Sequence, residues 1–337
     1  MQRQQLEGMI ADRYEIQQPL VRGGMSIIYL ARDIQNDQTV AIKLVHNSAS
    51  EYCERFRREV QAIAQFEHEH ILSALAHGDN GSWYYLVTPY IEYGTLHTRL
   101  KDGPLSLEEA GDILSQLADA LQYAHDHGVV HRDIKPSNVL LQDGKHVYLA
   151  DFGLVKAAGG SHSLTRSGYL IGTPEYMAPE LVDQPATIPS DVYALGVLLY
   201  EMLTGHVPFK GNTPVVTVWK HMRELPEPPS SVNPTIPYEV EQVVLRALAK
   251  HPQERFQSVA DLAQTYQQAL DRELSMASAA LEGPTLEQIA VRVVPLSTVP
   301  APPVHHPSSS LKLSALVFAL LLVFFCALWA FLELSGK

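Results

Sequence analysis

Between residues 131 and 153 the chain gathers side chains able to accept a proton and to hold a cation. The run reads HRDIKPSNVLL, then a polar turn, then VYLADFG. Asp133 follows an apolar pair, Val129 and Val130, and Asn138 comes five residues after it. A second apolar run, Val147 to Ala150, delivers Asp151 ahead of Phe152 and Gly153. Acids at the ends of short apolar runs sit on loops, where a rigid scaffold aims a group that the loop exposes. Two carboxylates and an amide oxygen are hard ligands of the kind that suits Mg²⁺, which keeps few protein ligands and shares substrate phosphates.

The elements that must position this stretch change character along the chain. Three strand-like runs come first, YEIQQPL from Tyr14, IIYLARD from Ile27 and TVAIKLV from Thr39, parted by turn material at Arg22-Gly23-Gly24 and Asn36-Asp37. Short strands joined by tight turns predict an antiparallel sheet. Residues 51–66 carry a helical stripe of Phe56, Val60, Ile63 and Ala64. Residues 71–75 and 83–88 are expected to be further strands. Helices follow. Ser106 and Glu109 form a capping box ahead of the stripe Ala110, Ile113, Leu114, Leu117, Leu121 and Ala124, which reads as core. Residues 191–204 are apolar nearly all round, as in a buried central helix ended by Gly205. Ser258 and Asp261 cap a last helix bearing Leu262, Tyr266, Ala269 and Leu270. Strands first and helices second give an α+β, two-lobed arrangement.

Composition narrows the function classes. At 337 residues the chain has room for two lobes. Its net charge of −12 and lack of a basic stripe argue against nucleic acid as a partner. Cys53 and Cys326 lie in unrelated segments, which fits a reducing compartment with neither a disulfide framework nor a cysteine metal site. Residues 1–13 read as a loose, polar lead-in without the apolar core of a signal peptide. From residue 274 to 311 periodicity gives way to Ala, Pro, Ser and His, a juxtamembrane linker in which His305 and His306 carry no metal-site pattern. The segment 313–332 holds 20 residues without a charge and ends near Trp329, enough for a helix of about 30 Å across a bilayer. The expectation is a transmembrane helix over 312–332, with a short outer tail at 333–337.

HRDxKxxN followed by DFG resembles the catalytic core of the protein kinase family, in the form carried by bacterial eukaryotic-like (Hanks-type) serine/threonine kinases. The resemblance runs over residues 14–273. It implies a lobe of antiparallel sheet plus helix C at 14–88, a hinge at 89–92 and a mainly helical lobe at 93–273. It also implies transfer of the ATP γ-phosphoryl group to Ser or Thr of protein substrates, with Mg²⁺. Asp133 then accepts the hydroxyl proton, Lys135 neutralises the transferring phosphate, and Asn138 and Asp151 hold the metal. The VAIK lysine, Lys43, meets the nucleotide phosphates and pairs with Glu59 of helix C. Without the resemblance Glu59 is one more solvated helix charge, but a lysine in an apolar strand needs a partner.

In the same frame Val21, Gly23, Ser26 and Ile28 occupy the glycine-rich loop positions, and only Gly23 keeps the pattern. Val21 is stiff where the family has glycine, which bears on nucleotide affinity. Ala41, Tyr90, Ile91 and Leu140 complete the nucleotide pocket, with Thr88 as gatekeeper. The segment GTPEYMAPE resembles the peptide-binding loop and APE motif, and Asp191 and Arg255, the latter as partner of Glu180, resemble the family's structural polar residues. Thr165 and Ser167 fall where an activating phosphate would sit, with Arg132 as its partner. The implied setting is the cell membrane, with a cytoplasmic kinase domain that meets a second copy to phosphorylate it. The rival reading is a membrane-tethered pseudokinase that serves as a binding scaffold.

Overall fold

The structure is a computed structural model in which residues 8–23, 26–48, 50–152 and 173–281 are described. Its first part is a six-stranded sheet made from Met9–Ile10 (β1), Tyr14–Arg22 (β2), Ser26–Asp33 (β3), Gln38–His46 (β4), Ala76–Asn80 (β5) and Trp83–Pro89 (β6), ordered β1-β2-β3-β4-β6-β5. Every pairing is antiparallel. Side chains alternate between the two faces. Tyr14, Tyr29, Ala31, Val40, Ile42, Leu44, Tyr85 and Val87 build a small core on one face. On the other face, Val45, Tyr84 and Leu86 pack with Cys53, Phe56 and Val60 of the helix Ser50–Ile63 (α1).

Two expectations are corrected here. The lead-in is not loose throughout: β1 pairs with β2, and Ile10 is fully buried in the small core. The strand expected at 71–75 is absent. Ile71 is buried and makes a single parallel bridge to Leu149, so the apolar run crosses toward the helical part. The strand lies just after it, in AHGDN, a sequence of low β-propensity. There Gly78 lets the ring of Tyr85 close in, since a Cβ would stand 3.2 Å from its hydroxyl.

The second part contains Leu96–Arg99 (α2), Leu107–Asp126 (α3), the hairpin Val139–Leu141 (β7) with Val147–Leu149 (β8), and then Ile188–Thr204 (α4), Pro214–Arg223 (α5), Pro229–Val232 (α6), Tyr238–Ala247 (α7) and Val259–Leu281 (α8). Ser106 Oγ accepts from the Glu109 N–H at 3.1 Å, while the Glu109 carboxylate turns to Arg99 at 3.1 Å. The N-cap stands, but the glutamate of the expected capping box serves an ion pair. Helix α4 is buried along almost its whole length and ends at Gly205 with φ of 77°. It crosses α7 so closely that a Cβ on Gly196 would lie 2.7 Å from that of Ala247. Ser258 caps α8, and the helix runs on to Leu281 because the Ala, Met and Leu content past residue 273 favours helix. Among the described residues no helix is long and apolar enough to cross a membrane, and the segment 312–332 lies outside them.

Arg13 clamps the turn after β3. Its guanidinium donates to both oxygens of the buried Asp33 at 2.8 and 2.6 Å, and Asp33 also accepts from the Gln35 N–H. Chiefly through Arg13, the Asp33 carboxyl is held down to about 2, against an ordinary 3.8. A depressed acid stabilises the fold above its unfolded value and loses that contribution as pH falls through the folded one. The unfolding midpoint in urea should therefore fall between about pH 4 and pH 2. Arg13→Ala should flatten that part of the profile. An equal acid slope in both proteins would show that the pair is not responsible.

Candidate active site

The hairpin β7–β8 explains why residues far apart in the catalytic stretch meet. Val139 pairs with Leu149, so Asn138, just before β7, and Asp151, just after β8, come to the same end. The Ala150 N–H donates to the Asn138 carbonyl at 2.8 Å and ties the two segments. Asn138 Nδ2 then donates to the Asp133 carbonyl at 2.8 Å and to its Oδ2 at 3.1 Å. Lys135 Nζ reaches the same Oδ2 at 2.7 Å and the Thr173 hydroxyl at 3.3 Å. A carboxylate, a cation and the threonine that opens the next described segment thus form one hydrogen-bonded chain.

A second cation meets the site from the sheet. Lys43 Nζ lies 2.7 Å from Asp151 Oδ1. Burial opposes the Lys43 charge, but the Asp151 carboxylate outweighs burial by its charge and hydrogen bond, and the pKa ends above its usual value. Lys43 stands opposite Ile28, and Ile28 stands opposite Val21. Residues directly opposite in antiparallel strands share a face. Val21 is therefore on the Lys43 face, 57% exposed, beyond a bulge that follows Pro19. Ala41 pairs with Thr88, next to the crossing segment of Tyr90 and Ile91, and Leu140 bridges Thr95 at its far end. Ser26 and Gly23 close the intervening turn, with the Gly23 N–H donating to the Ser26 carbonyl at 2.9 Å. Glu59 is placed on α1, but its side chain lies outside the described set, as do Thr165 and Ser167 altogether.

The loop bearing Asp133 is held from below. Asp191 of α4 is buried and accepts from the His131 N–H at 2.7 Å, the Arg132 N–H at 2.9 Å and His125 Nε2 at 2.8 Å. Arg132 has φ of 67° and Asp151 φ of 54°. Left-handed backbone costs a non-glycine residue about 1–2 kcal/mol, and both are held by ionic hydrogen bonds. The His131 ring is fully buried. Burial lowers its pKa, against the pull of Asp191 and Asp133, so it stays neutral. The Asp133 N–H donates to its Nδ1, which leaves the proton on Nε2 for the Ala150 carbonyl at 3.2 Å. The ring packs on Phe152 at 4.6 Å between centroids.

Below the site, Arg255 donates to both oxygens of Glu180 at 2.8 Å and stacks on Tyr193 at 4.7 Å. This is the partnership expected from sequence. His125 was not legible as part of the site. Its one signal was its position four residues after Leu121, on the buried side of α3.

The protein kinase domain family matches residues 14–269. The chain is 38% identical over 266 residues to serine/threonine-protein kinase PknB of Mycolicibacterium smegmatis, covering 75% of this chain and 42% of that protein. It is 37% identical over 269 residues to serine/threonine-protein kinase PrkC of Bacillus subtilis, covering 78% and 41%. The chain thus spans less than half the length of these curated relatives. Among solved structures, the Mycobacterium tuberculosis PknI kinase domain aligns with a TM-score of 0.60 at 26% identity, over 78% of this chain and 98% of that one. Rad53 1–466 in complex with AMP-PNP shares the fold, with a TM-score of 0.66 at 22% identity over 75% and 65% of the two chains. With the family match extending from β2 into α8, this chain belongs to the protein kinase family.

Proposed function

We propose that the chain is a serine/threonine protein kinase that transfers the ATP γ-phosphoryl group to hydroxyls of protein substrates. The observation that carries the reading is the bonded chain Asn138–Asp133–Lys135–Thr173. Asp133 accepts the proton of the attacking hydroxyl and orients it. Lys135, held on Asp133, places positive charge beside the transferring group, and Asn138 keeps the Asp133 carboxylate in one orientation. Thr173 belongs to the GTPEYMAPE segment that seats the acceptor peptide. Lys43 meets the nucleotide phosphates. Val21, Gly23, Ser26 and Ile28 form the roof, and Ala41, Tyr90, Ile91 and Leu140 line the nucleoside part. Glu59 is the further partner of Lys43.

Family membership implies ATP and a divalent metal ion. The donor set of this chain fits a hard cation: Asp151 offers a carboxylate, and the Asn138 amide nitrogen is engaged on Asp133, which leaves its oxygen for the metal. We assign Mg²⁺ to these two residues, where it would offset charge on the phosphates. Lys43→Met removes the cation that holds Asp151 and should cut phosphotransfer by about 10²-fold or more. A Lys43→Met protein of normal turnover would overturn the Lys43 assignment. The scaffold alternative rests on Val21 and Ser26 alone and is not favoured, because Lys43, Asp133, Asn138 and Asp151 are all retained.

The reading extends to setting and control. The kinase domain is taken as 14–273, with the lead-in at 1–13, a linker over 274–311 whose first residues continue α8 to Leu281, a membrane helix over 312–332 supported by the uncharged run 313–332, and a tail at 333–337. The kinase domain is cytoplasmic. A phosphate on Thr165 or Ser167 pairs with Arg132 and orders the loop. Neighbouring copies supply it, concentrated on the membrane. The core of the reading is tested by incubating the full chain with Mg-ATP and mapping phosphosites: new phosphoserine or phosphothreonine is expected, and none at all would defeat it. For control, loop phosphorylation of the anchored chain should rise with its surface density and exceed that of a chain ending at Ser310 at equal bulk concentration. Equal rates would exclude the membrane as the concentrating device.

A further inference from the structure

We propose that His221 is a positioning residue for the segment that seats the acceptor peptide, acting on the main-chain carbonyl of Glu175. The inference rests on the phosphotransfer reading above and adds a part that no sequence motif marks. His221 lies in the last turn of α5, yet it is only 1% exposed. Its ring sits edge-on to Phe209, at 4.8 Å between centroids, and to Tyr193 at 5.7 Å. The Tyr193 hydroxyl lies 2.8 Å from Nδ1. Burial and the Lys250 ammonium hold the ring down to about 3, so it is neutral at any working pH. A neutral imidazole has one N–H. We take the Tyr193 hydroxyl as the donor to Nδ1, which places that N–H on Nε2.

Nε2 is thus a buried donor, and it has no well-formed hydrogen bond among the described residues. The main chain of Glu175 lies close enough to the ring to favour its charged form, against burial and Lys250. Buried donors without partners are rare and costly. Helix α5, which carries the ring, packs on the turn Pro174–Tyr176 that includes Glu175. The same turn follows Thr173, whose hydroxyl is bonded to Lys135 beside Asp133. At the other side of the residue, Lys250 Nζ donates to the His221 carbonyl at 2.8 Å and anchors the end of α5. His221 is held from two sides and has one buried ring nitrogen left over, on a helix packed against the peptide segment. A bond from that nitrogen to the Glu175 carbonyl, formed when peptide binds, would hold Thr173 and its neighbours in register with Asp133.

The test compares wild type, His221→Phe and His221→Gln in full chains brought to equal loop phosphorylation. Phenylalanine keeps the ring volume without nitrogens, whereas glutamine restores a donor at about the place of Nε2. His221→Phe should raise the KM for a Ser/Thr peptide about five- to tenfold, the worth of one hydrogen bond, while the KM for ATP stays within about twofold. His221→Gln should return the peptide KM to near wild type. Tyr193→Phe removes the hydroxyl that sets the tautomer and should raise the peptide KM alone, which keeps the question open to measurement if His221→Phe fails to fold. An unchanged peptide KM in His221→Phe, or equal losses toward peptide and ATP in every variant, would overturn the proposal. A wild type that transfers no phosphate would instead defeat the kinase reading and leave the His221 geometry untouched.

Discussion

Asp133→Asn should lower phosphotransfer by about 10²- to 10⁴-fold and leave ATP affinity within about twofold. The substitution keeps the shape of the side chain but removes its charge and its capacity to take a proton. Oδ2 of Asp133 accepts from Lys135 at 2.7 Å and from Asn138 at 3.1 Å. An amide there can present its own N–H to those donors, so the Lys135 ammonium loses its anchor as well. The side-chain bonds of Asp133 named above run to Lys135 and Asn138, and Lys43 and Asp151 keep their own bond. A defect confined to turnover is thus expected, measured by initial rates alongside equilibrium nucleotide binding. Near wild-type turnover would show that Asp133 is not the proton acceptor.

The largest effect on stability is expected at Arg255. Its side chain is fully buried, and it donates to Glu180 twice, to the Ala249, Pro189 and Lys250 carbonyls, and stacks on Tyr193. Burial would raise the Glu180 pKa, but Arg255 outweighs it and keeps the carboxylate ionised. Arg255→Met leaves that charge buried and unpaired, with three carbonyls short of a donor. The expected loss is about 3–5 kcal/mol in equilibrium unfolding. The double variant Glu180→Met with Arg255→Met should recover part of the loss, because it removes the stranded charge. A single variant within about 1 kcal/mol of wild type would mean that water relieves Glu180 and that the pair is not what closes this part of the fold.

Much of this arrangement was legible because it depends on local chemistry. The strands of the sheet carried alternation and turn residues, and β2, β3, β4 and β6 lie where those signals put them. Ser106 and Ser258 announced their helices, and Gly205 ended one. What escaped was decided by distant partners. β5 exists because β6 offers an edge and Gly78 admits the Tyr85 ring, neither of which its polar sequence reveals. The run at 71–75 looks like a strand but serves as a crossing, since its partner Leu149 is far away in sequence. At the site, HRD and DFG marked the residues, but not the device that joins them. The resemblance marked Asp191 as a structural polar residue, but its bonds to the backbone of His131 and Arg132, with His125 behind it, join α3, α4 and a loop, and no spacing rule predicts them. Glu109 shows the reverse case, a correct cap motif whose second half was taken by Arg99.

Transfer of phosphate to serine or threonine hydroxyls is the role proposed for Asp133, Lys135 and the GTPEYMAPE segment that holds Thr173. It is tested most directly by giving the full chain γ-labelled Mg-ATP with an equimolar mixture of Ser-, Thr- and Tyr-centred peptides, and identifying the labelled residue after hydrolysis. Label is expected on phosphoserine and phosphothreonine, little on phosphotyrosine, and at an initial rate at least about 10²-fold lower with Asp133→Asn. Nucleotide binding with no label on any peptide would contradict that assignment, as would label that appears at a near wild-type rate in the Asp133→Asn protein.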